Sequence, residues 1–229
     1  MIKAVVFDMD DTLYAEYDFV KSGFKAVDEY LNQTYSVSHF YTKAMELFDS
    51  GRRGKIFNEV LEELNAECNN DIVKCLLDVY RNHKPTIELF EDAKWALNYY
   101  NARCETGLIT DGYYNVQKNK VAALGLESYL KTIVYSDEYG RENWKPSMVP
   151  YNKIEEYFGF ESNQYVYVAD NLSKDFITPK KLGWLTVHID RDEGEYSKVS
   201  VSDEYLAHVR ISSLYELKVI LQVQESITK

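Results

Sequence analysis

The sequence has no surplus of positive charge, no long apolar run and no cysteine pattern, and each absence narrows what the chain can be. Lys and Arg number 26 against 37 Asp and Glu, a formal charge of −11. Bulk attraction to nucleic acid or to an anionic membrane is therefore not expected of it. No run of 18 apolar residues occurs, so no transmembrane helix is expected. Met1-Ile2-Lys3 leads straight into a strand-like run, without the apolar region and cleavage site of a signal peptide, and a cytoplasmic location is expected. Cys68, Cys75 and Cys104 are odd in number and offer neither C-x-x-C nor zinc-ligand spacing, so reduced, buried thiols are expected. Internal repeats and low-complexity segments are also missing. What remains is 229 residues, 45% of them apolar, enough for one moderate domain or a core domain with one sizeable insertion. Twenty tyrosines point to amphipathic packing at core edges.

Apolar periodicity divides the chain. Residues 3–7, Lys-Ala-Val-Val-Phe, read as a short strand buried on both faces and end in Asp8-Met9-Asp10-Asp11-Thr12. Between 18 and 82 the spacing turns helical: Val20, Phe24, Val27 and Leu31; Phe40, Ala44, Leu47 and Phe48; Phe57, Val60, Leu61 and Leu64; Val73, Leu76, Leu77 and Tyr80. Breaks at 33–37, 51–54 and 69–71 leave four helices, which are expected to pack on one another as an all-α insertion ending at His83-Lys84-Pro85.

From 86 onward strands and helices alternate. Helices are predicted near 91–101, 114–124, 148–158, 175–182 and 212–224, and strands at 106–109, 132–135, 165–168 and 184–188. The acidic stretch 190–195 reads as an exposed loop. The fold expected is α/β, a doubly wound parallel sheet with a small all-α helical bundle inserted. Its domains would be 1–16 with 86–229, and 17–85.

In an open parallel sheet, ligands sit beyond the carboxyl ends of the strands. Asp8 and Asp10 stand there after the first strand, Thr110 and Asp111 after the second, and Asp170 after the fourth, with Asp175 five residues on. Lys145, in a loop before a helix, is within reach of the same edge. Adjacent carboxylates repel unless a cation or a shared proton relieves them, and Asp8, Asp10 and Asp170 offer the hard oxygens that suit Mg²⁺. A carboxylate can also act as the nucleophile of phosphoryl transfer, and its neighbour as general acid and base. A hydroxyl (Thr110), an ammonium (Lys145) and the backbone N–H groups at Asp111-Gly112, opening a helix, would hold phosphoryl oxygens.

These segments, in this order, resemble the haloacid dehalogenase (HAD) superfamily. Asp8-Met9-Asp10-Asp11-Thr12-Leu13 is similar to its first motif and Leu108-Ile109-Thr110-Asp111-Gly112 to its second. Lys145-Pro146 is similar to the third, and Ala169-Asp170-Asn171-Leu172-Ser173-Lys174-Asp175 to the fourth. The resemblance spans residues 3–188 and places the helical insertion where one branch carries its cap. It implies Asp8 as nucleophile and Asp10 as general acid and base. It implies Mg²⁺ on Asp8, the Asp10 carbonyl and Asp170, phosphoryl contacts from Thr110 and Lys145, and Asp175 behind them. Dehalogenases of the family lack the second acid of the first motif, so Asp10 favours a phosphatase. The sequence departs from the pattern at Ala169, where glycine is usual, and at Asp111, where asparagine is common. That carboxylate is expected to turn away from the phosphate or to pair with a cation.

The function expected is a Mg²⁺-dependent phosphatase acting on a small phosphorylated metabolite, a sugar phosphate or a nucleotide, through an aspartyl-phosphate. A sugar-phosphate mutase, a phosphonate hydrolase using a cap lysine (Lys21, Lys25, Lys43 or Lys55) and a non-catalytic binding module are the alternatives. Arg52 and Arg53 read either as a solvated turn or as a receptor for an acidic substrate. Tyr14, Tyr17, Tyr113 and Tyr114 read either as pocket lining or as packing. No role is expected of His39, His83, His188 or His208.

Overall fold

The computed structural model describes residues 1–191 and 201–221. The chain divides into two compact units, Met1–Glu16 with Glu88–Lys229, and Tyr17–Ile87.

The larger unit is built on six parallel strands: β1 (Ala4–Phe7), β2 (Glu105–Thr110), β3 (Thr132–Tyr135), β4 (Tyr165–Ala169), β5 (Leu185–Ile189) and β6 (Val209–Ile211), in the order β3-β2-β1-β4-β5-β6. β1 and β4 are buried at every position, as continuous apolar runs must be when helices cover both faces of a sheet. Alternate residues divide between the faces. Ala4 and Val6 of β1 and Tyr165, Tyr167 and Ala169 of β4 share a core with Tyr151 and Ile154 of α7 (Val149–Phe158) and with Trp184. Gly107 in β2 makes that packing possible, because a Cβ there would stand 3.2 Å from Ile154 Cδ1. The other helices of this unit are α5 (Glu91–Asn101), α6 (Tyr114–Leu124), α8 (Ile177–Leu182) and the single turn α9 (Leu217–Ile220).

The strand order positions the site. In register, Phe7 of β1 lies between Leu108 of β2 and Val168 of β4. Asp8, Thr110 and Asp170 therefore leave three adjacent strands at nearly the same level, although a hundred residues or more separate the first from the others.

The smaller unit contains α1 from Tyr17 onward (α1 is Glu16–Tyr35), α2 (Phe40–Asp49), α3 (Ile56–Glu63) and α4 (Asn70–Asn82). Its core gathers Phe24, Val27, Phe40, Val60, Leu61 and Leu76, with Phe24 edge-on to Phe40 and Phe57 at 6.2 and 6.1 Å. These are the helical-period apolar positions read from the sequence. Asn69 caps α4 by accepting the Ile72 N–H at 2.9 Å, so the break expected at 69–71 lies instead at 64–69, between α3 and α4. In the 51–54 turn, Arg52 pairs with Glu59 at 3.0 Å, and Arg53 donates to the Phe48 carbonyl and lies 3.7 Å over its ring.

Three expectations need correcting. α8 begins at Ile177, not 175, because residues 171–175 form a turn in which the Asp175 carboxylate accepts the Asn171 N–H at 3.1 Å. The helix expected at 212–224 is a 3₁₀ turn at Leu214–Glu216 that continues into α9, started by a capping box between Ser213 and Glu216; residues 222–224 lie outside the described ones. The cysteines are unpaired, as expected, but half-buried. Of the acidic stretch 190–195, only Asp190 and Arg191 are described. No helix among the described residues is long and apolar enough to cross a membrane.

Candidate active site

β1 delivers Asp8 into a tight turn. The Asp8 N–H donates to the Val168 carbonyl at 2.9 Å, and the Leu13 N–H returns to the Met9 carbonyl at 2.9 Å. Asp11 takes the left-handed conformation (φ 52°), which a short acidic side chain tolerates when it can bond locally. Its Oδ1 accepts the Glu16 N–H at 2.9 Å.

Lys145 is enclosed at the centre. Its side chain is fully buried, and its Nζ lies 2.5 Å from Asp8 Oδ1 and 2.8 Å from Asp175 Oδ1, and donates to Tyr167 Oη at 2.9 Å. Burial alone would drive the ammonium toward neutrality, but Asp175 and Asp8 outweigh it and hold the pKa well above the ordinary lysine value. At Asp8 burial prevails instead, and raises its carboxyl to about 7 against the pull of Lys145. Burial, then Asp8 and Asp175, also raise Asp170 well above the ordinary carboxylate value.

Asp8, Asp170 and Asp175 each present a carboxylate oxygen, and these oxygens lie within 4.8 Å of one another. Asp170 is buried, and no hydrogen-bond donor reaches its carboxylate among the described residues. A buried carboxylate without a donor, beside two others, is a donor set that fits a hard divalent cation. Asp175 is already committed to Lys145 and to the Asn171 N–H. Asp8 and Asp170 are the residues that could turn a carboxylate oxygen to such an ion.

Asp10 looks elsewhere. Its Oδ1 accepts from Tyr14 Oη at 2.5 Å and from Lys120 Nζ at 2.7 Å, and its Oδ2 accepts from Gln117 Nε2 at 2.8 Å. Burial would raise its pKa, but Lys120, Tyr14 and Gln117 overcome that and lower it. Gln117 Nε2 also donates to Thr110 Oγ1 at 2.6 Å, which ties the end of β2 to the Asp10 turn. Gly112 makes room for this amide: its φ is +125°, and a Cβ would stand 3.0 Å from the Gln117 side chain. Asp111 pairs with a cation, as expected. Lys174 Nζ lies 2.9 Å from its Oδ2, and its Oδ1 accepts the Lys145 backbone N–H at 3.2 Å.

A cavity of about 220 Å³ opens over this edge, walled by Asp8, Asp10, Asp11, Glu16, Asp111 and Asp170 together with Trp144, Asn171 and Lys174. The structure thus brings Asp8, Asp10, Asp111, Lys145, Asp170 and Asp175 to one place, with Thr110 joined to them through Gln117. Of the ambiguous tyrosines, Tyr14 is fully buried on Asp10. Tyr17 is exposed and donates to Asp49 at 3.0 Å, Tyr113 stands edge-on to Trp144 and Tyr114 edge-on to Tyr135.

Sequence reasoning missed Gln117, Lys120 and Lys174. The first two left a signal: polar residues at i and i+3 of a helix, in line with the buried Val116, Val121 and Leu124, on a face that should be apolar.

The sequence model of the haloacid dehalogenase-like hydrolases matches residues 5–189. The chain belongs to that family. Glyceraldehyde 3-phosphate phosphatase of Methanocaldococcus jannaschii is 28% identical over 226 residues, covering 95% of this chain and 96% of that protein. N-acylneuraminate-9-phosphatase of Rattus norvegicus is 25% identical, covering 96% and 94%. Among solved structures, the magnesium-bound HAD hydrolase YfnB of Bacillus subtilis superposes with a TM-score of 0.70 at 18% identity, over 96% of this chain and 99% of that one, a likeness of fold. Both of these sequence relatives are phosphatases, and the family match gives this chain as a haloacid dehalogenase-like hydrolase.

Proposed function

We propose that the enzyme hydrolyses a small sugar phosphate carrying a terminal primary phosphate, with Asp8 as nucleophile. The observation that carries the reading is the buried Asp8–Lys145–Asp175 arrangement beside the donor-free Asp170. Its chemistry is that of a carboxylate aimed at phosphorus with its charge already counterbalanced. The substrate class rests on what the relatives' names share. Glyceraldehyde 3-phosphate and an N-acylneuraminate 9-phosphate both present a CH(OH)–CH₂–O–PO₃²⁻ end, although the rest of the two molecules differs.

In this reading an Asp8 oxygen bonds to phosphorus as the ester P–O bond breaks, and the electron pair leaves on the sugar oxygen. Asp10 would protonate that oxygen, acting as a strong acid once it has taken up a proton because its pKa is lowered. Water then attacks the aspartyl-phosphate, Asp10 takes its proton, and inorganic phosphate leaves with Asp8 restored. Tyr14, Gln117 and Lys120 fix the Asp10 carboxylate in one orientation between the two halves. Lys145 would screen the phosphoryl group from Asp8 and Asp175, and Thr110 and the Asp111-Gly112 backbone would receive its oxygens. Mg²⁺, held by Asp8 and Asp170 with the Asp10 carbonyl, would supply positive charge against the phosphoryl oxygens when bound.

The test is phosphate release from three classes of ester: triose and nonulosonate primary phosphates, hexose 1-phosphates, and nucleotides. Each is run with Mg²⁺, with EDTA, and with Asp8→Asn. Turnover on the primary phosphates that requires Mg²⁺ and Asp8 supports the reading. Turnover that survives both EDTA and Asp8→Asn overturns the mechanism. Isomerisation of a hexose 1-phosphate in place of phosphate release overturns the hydrolase assignment.

A further inference from the structure

The wall of the active-site cavity is electrostatically unsuited to a phosphate ester. Six of the residues lining it are acidic, and Lys174 is the one basic side chain lining it among the described residues. Lys145 and Lys120 lie beneath the wall, and their ammoniums are taken up by Asp8 with Asp175 and by Asp10 with Glu16. Asp111 is the acid whose charge is hardest to account for. It is placed on the loop where phosphoryl oxygens would bind, yet its evident structural task, accepting the Lys145 N–H at 3.2 Å, needs only an oxygen and not a charge. Lys174 comes from a different loop, the turn after β4, and reaches across to Asp111 at 2.9 Å. The Asp111 side chain is 5% exposed and that of Lys174 33%, so the carboxylate is enclosed and the ammonium faces the cavity.

We infer that Lys174 is a positioning residue for phosphate binding. It cancels the charge of Asp111, so that Asp111 can fasten the Lys145 loop without opposing the incoming dianion. The inference rests on the phosphatase reading above. It assigns Lys174 no contact with substrate: the ammonium acts through Asp111. An uncancelled carboxylate a few ångströms from a dianion in a partly enclosed site weakens binding far more than it slows the chemical step.

The experiment measures KM and kcat on a primary phosphate ester, and the dissociation constant of inorganic phosphate by calorimetry with Mg²⁺ present. Wild type, Lys174→Met, Lys174→Arg, Asp111→Asn and the double variant Lys174→Met/Asp111→Asn are compared. Lys174→Met is expected to raise KM and the phosphate dissociation constant roughly tenfold, with kcat within about threefold. The excess should shrink as salt screens the uncancelled carboxylate. Lys174→Arg should recover most of the loss. The double variant should return close to wild type, because the amide oxygen introduced by Asp111→Asn still accepts the Lys145 N–H and no charge is left to cancel.

An unchanged KM in Lys174→Met overturns the inference. So does a double variant as weak as the single, which would mean that Lys174 serves the substrate directly. Should Lys174→Met fail to fold, Asp111→Asn alone decides: phosphate should bind more tightly than to wild type, and equal or weaker binding refutes the idea. Wild type that turns over normally while Lys174→Met matches it refutes this inference alone. Wild type that neither binds nor releases phosphate refutes the phosphatase reading with it.

Discussion

Asp92, at the start of α5, offers the sharpest test of how the larger unit is held together. Its carboxylate accepts four hydrogen bonds: from Arg191 Nη1 and Nη2 at 2.9 and 3.0 Å, from Ser213 Oγ at 3.0 Å and from the Leu214 N–H at 2.8 Å. Arg191 also donates to the Thr12 carbonyl at 2.9 Å, so one ion pair joins α5, the segment after β5, the segment after β6 and the turn after β1. The Asp92 side chain is 8% exposed and that of Arg191 15%, far from a surface pair worth under about 1 kcal/mol. Asp92→Asn keeps one acceptor oxygen, removes the charge, and turns an amide NH₂ toward groups that are themselves donors. Breaking a buried, hydrogen-bonded pair from one side costs about 3–5 kcal/mol, and the residual exposure of Arg191 places this case near the lower figure, about 3 kcal/mol. For a chain of this size that corresponds to a fall in melting temperature of about 6–12 °C.

The pH dependence follows from the sign. Burial would raise the Asp92 pKa, but Arg191, the Leu214 N–H and Ser213 overcome it and hold it below the ordinary 3.8. A depressed carboxylate contributes stability above its unfolded pKa and loses it as pH falls through the folded one. The gap between wild type and Asp92→Asn should therefore be constant from pH 8 to about 5 and narrow below about 4. Urea unfolding of both proteins across that range, with Arg191→Met and the double variant completing a cycle, measures it. A gap under about 1 kcal/mol at neutral pH, or one that widens in acid, would refute the reasoning.

Three further outcomes are expected. Asp8→Asn should cost about four orders of magnitude or more in kcat, because on the proposed mechanism it removes the nucleophile itself, while circular dichroism stays unchanged. Lys120→Met leaves Asp10 and Glu16 facing a buried position without their cation; a loss of about 3 kcal/mol in urea unfolding at pH 7 is expected, and a neutral result would show that water reaches the pair. Gly112→Ala meets both a φ of +125° and the Gln117 side chain 3.0 Å away. It should cost about 1–3 kcal/mol and, by displacing Gln117 from Thr110 and Asp10, lower kcat/KM by more than that loss of stability alone would produce.

The parts of the fold that were legible have a physical reason for being so. β1 and β4 read as strands because burial on both faces makes them unbroken apolar runs, and the helices of the smaller unit because each shows an apolar stripe to one shared core. β6 escaped notice because Val209-Arg210-Ile211 is three residues long, lies at the sheet edge and has a charged residue at its centre. Asp8, Asp10, Thr110, Lys145, Asp170 and Asp175 were visible through their order along the chain and their places at strand ends. Gln117, Lys120 and Lys174 were not, because a polar residue on a helix or turn looks like surface until the sheet order shows what lies opposite it. The tyrosine surplus gains a partial explanation in the same way. Tyr14, Tyr151 and Tyr167 are core residues whose hydroxyls reach Asp10, the Asp175 carbonyl and Lys145, so the apolar interior ends in polar tips under the site.

Within the larger unit, the Phe90 N–H donates to the Leu13 carbonyl at 2.9 Å. The point where the chain leaves this unit and the point where it returns, more than seventy residues later, are thus stapled side by side. For the sheet and its helices, the whole intervening segment is a loop whose ends already meet. Closing a long loop rather than a short one changes the entropy only logarithmically. A host of this kind accepts a guest of almost any length at that junction. Exchanging the guest for one from a relative, or cutting it back to a short hairpin, leaves every strand pairing and every carboxylate of the host in its own covalent neighbourhood. The inserted segment and the carboxylate-bearing edge of the sheet can therefore be varied separately, by recombination as readily as by point substitution.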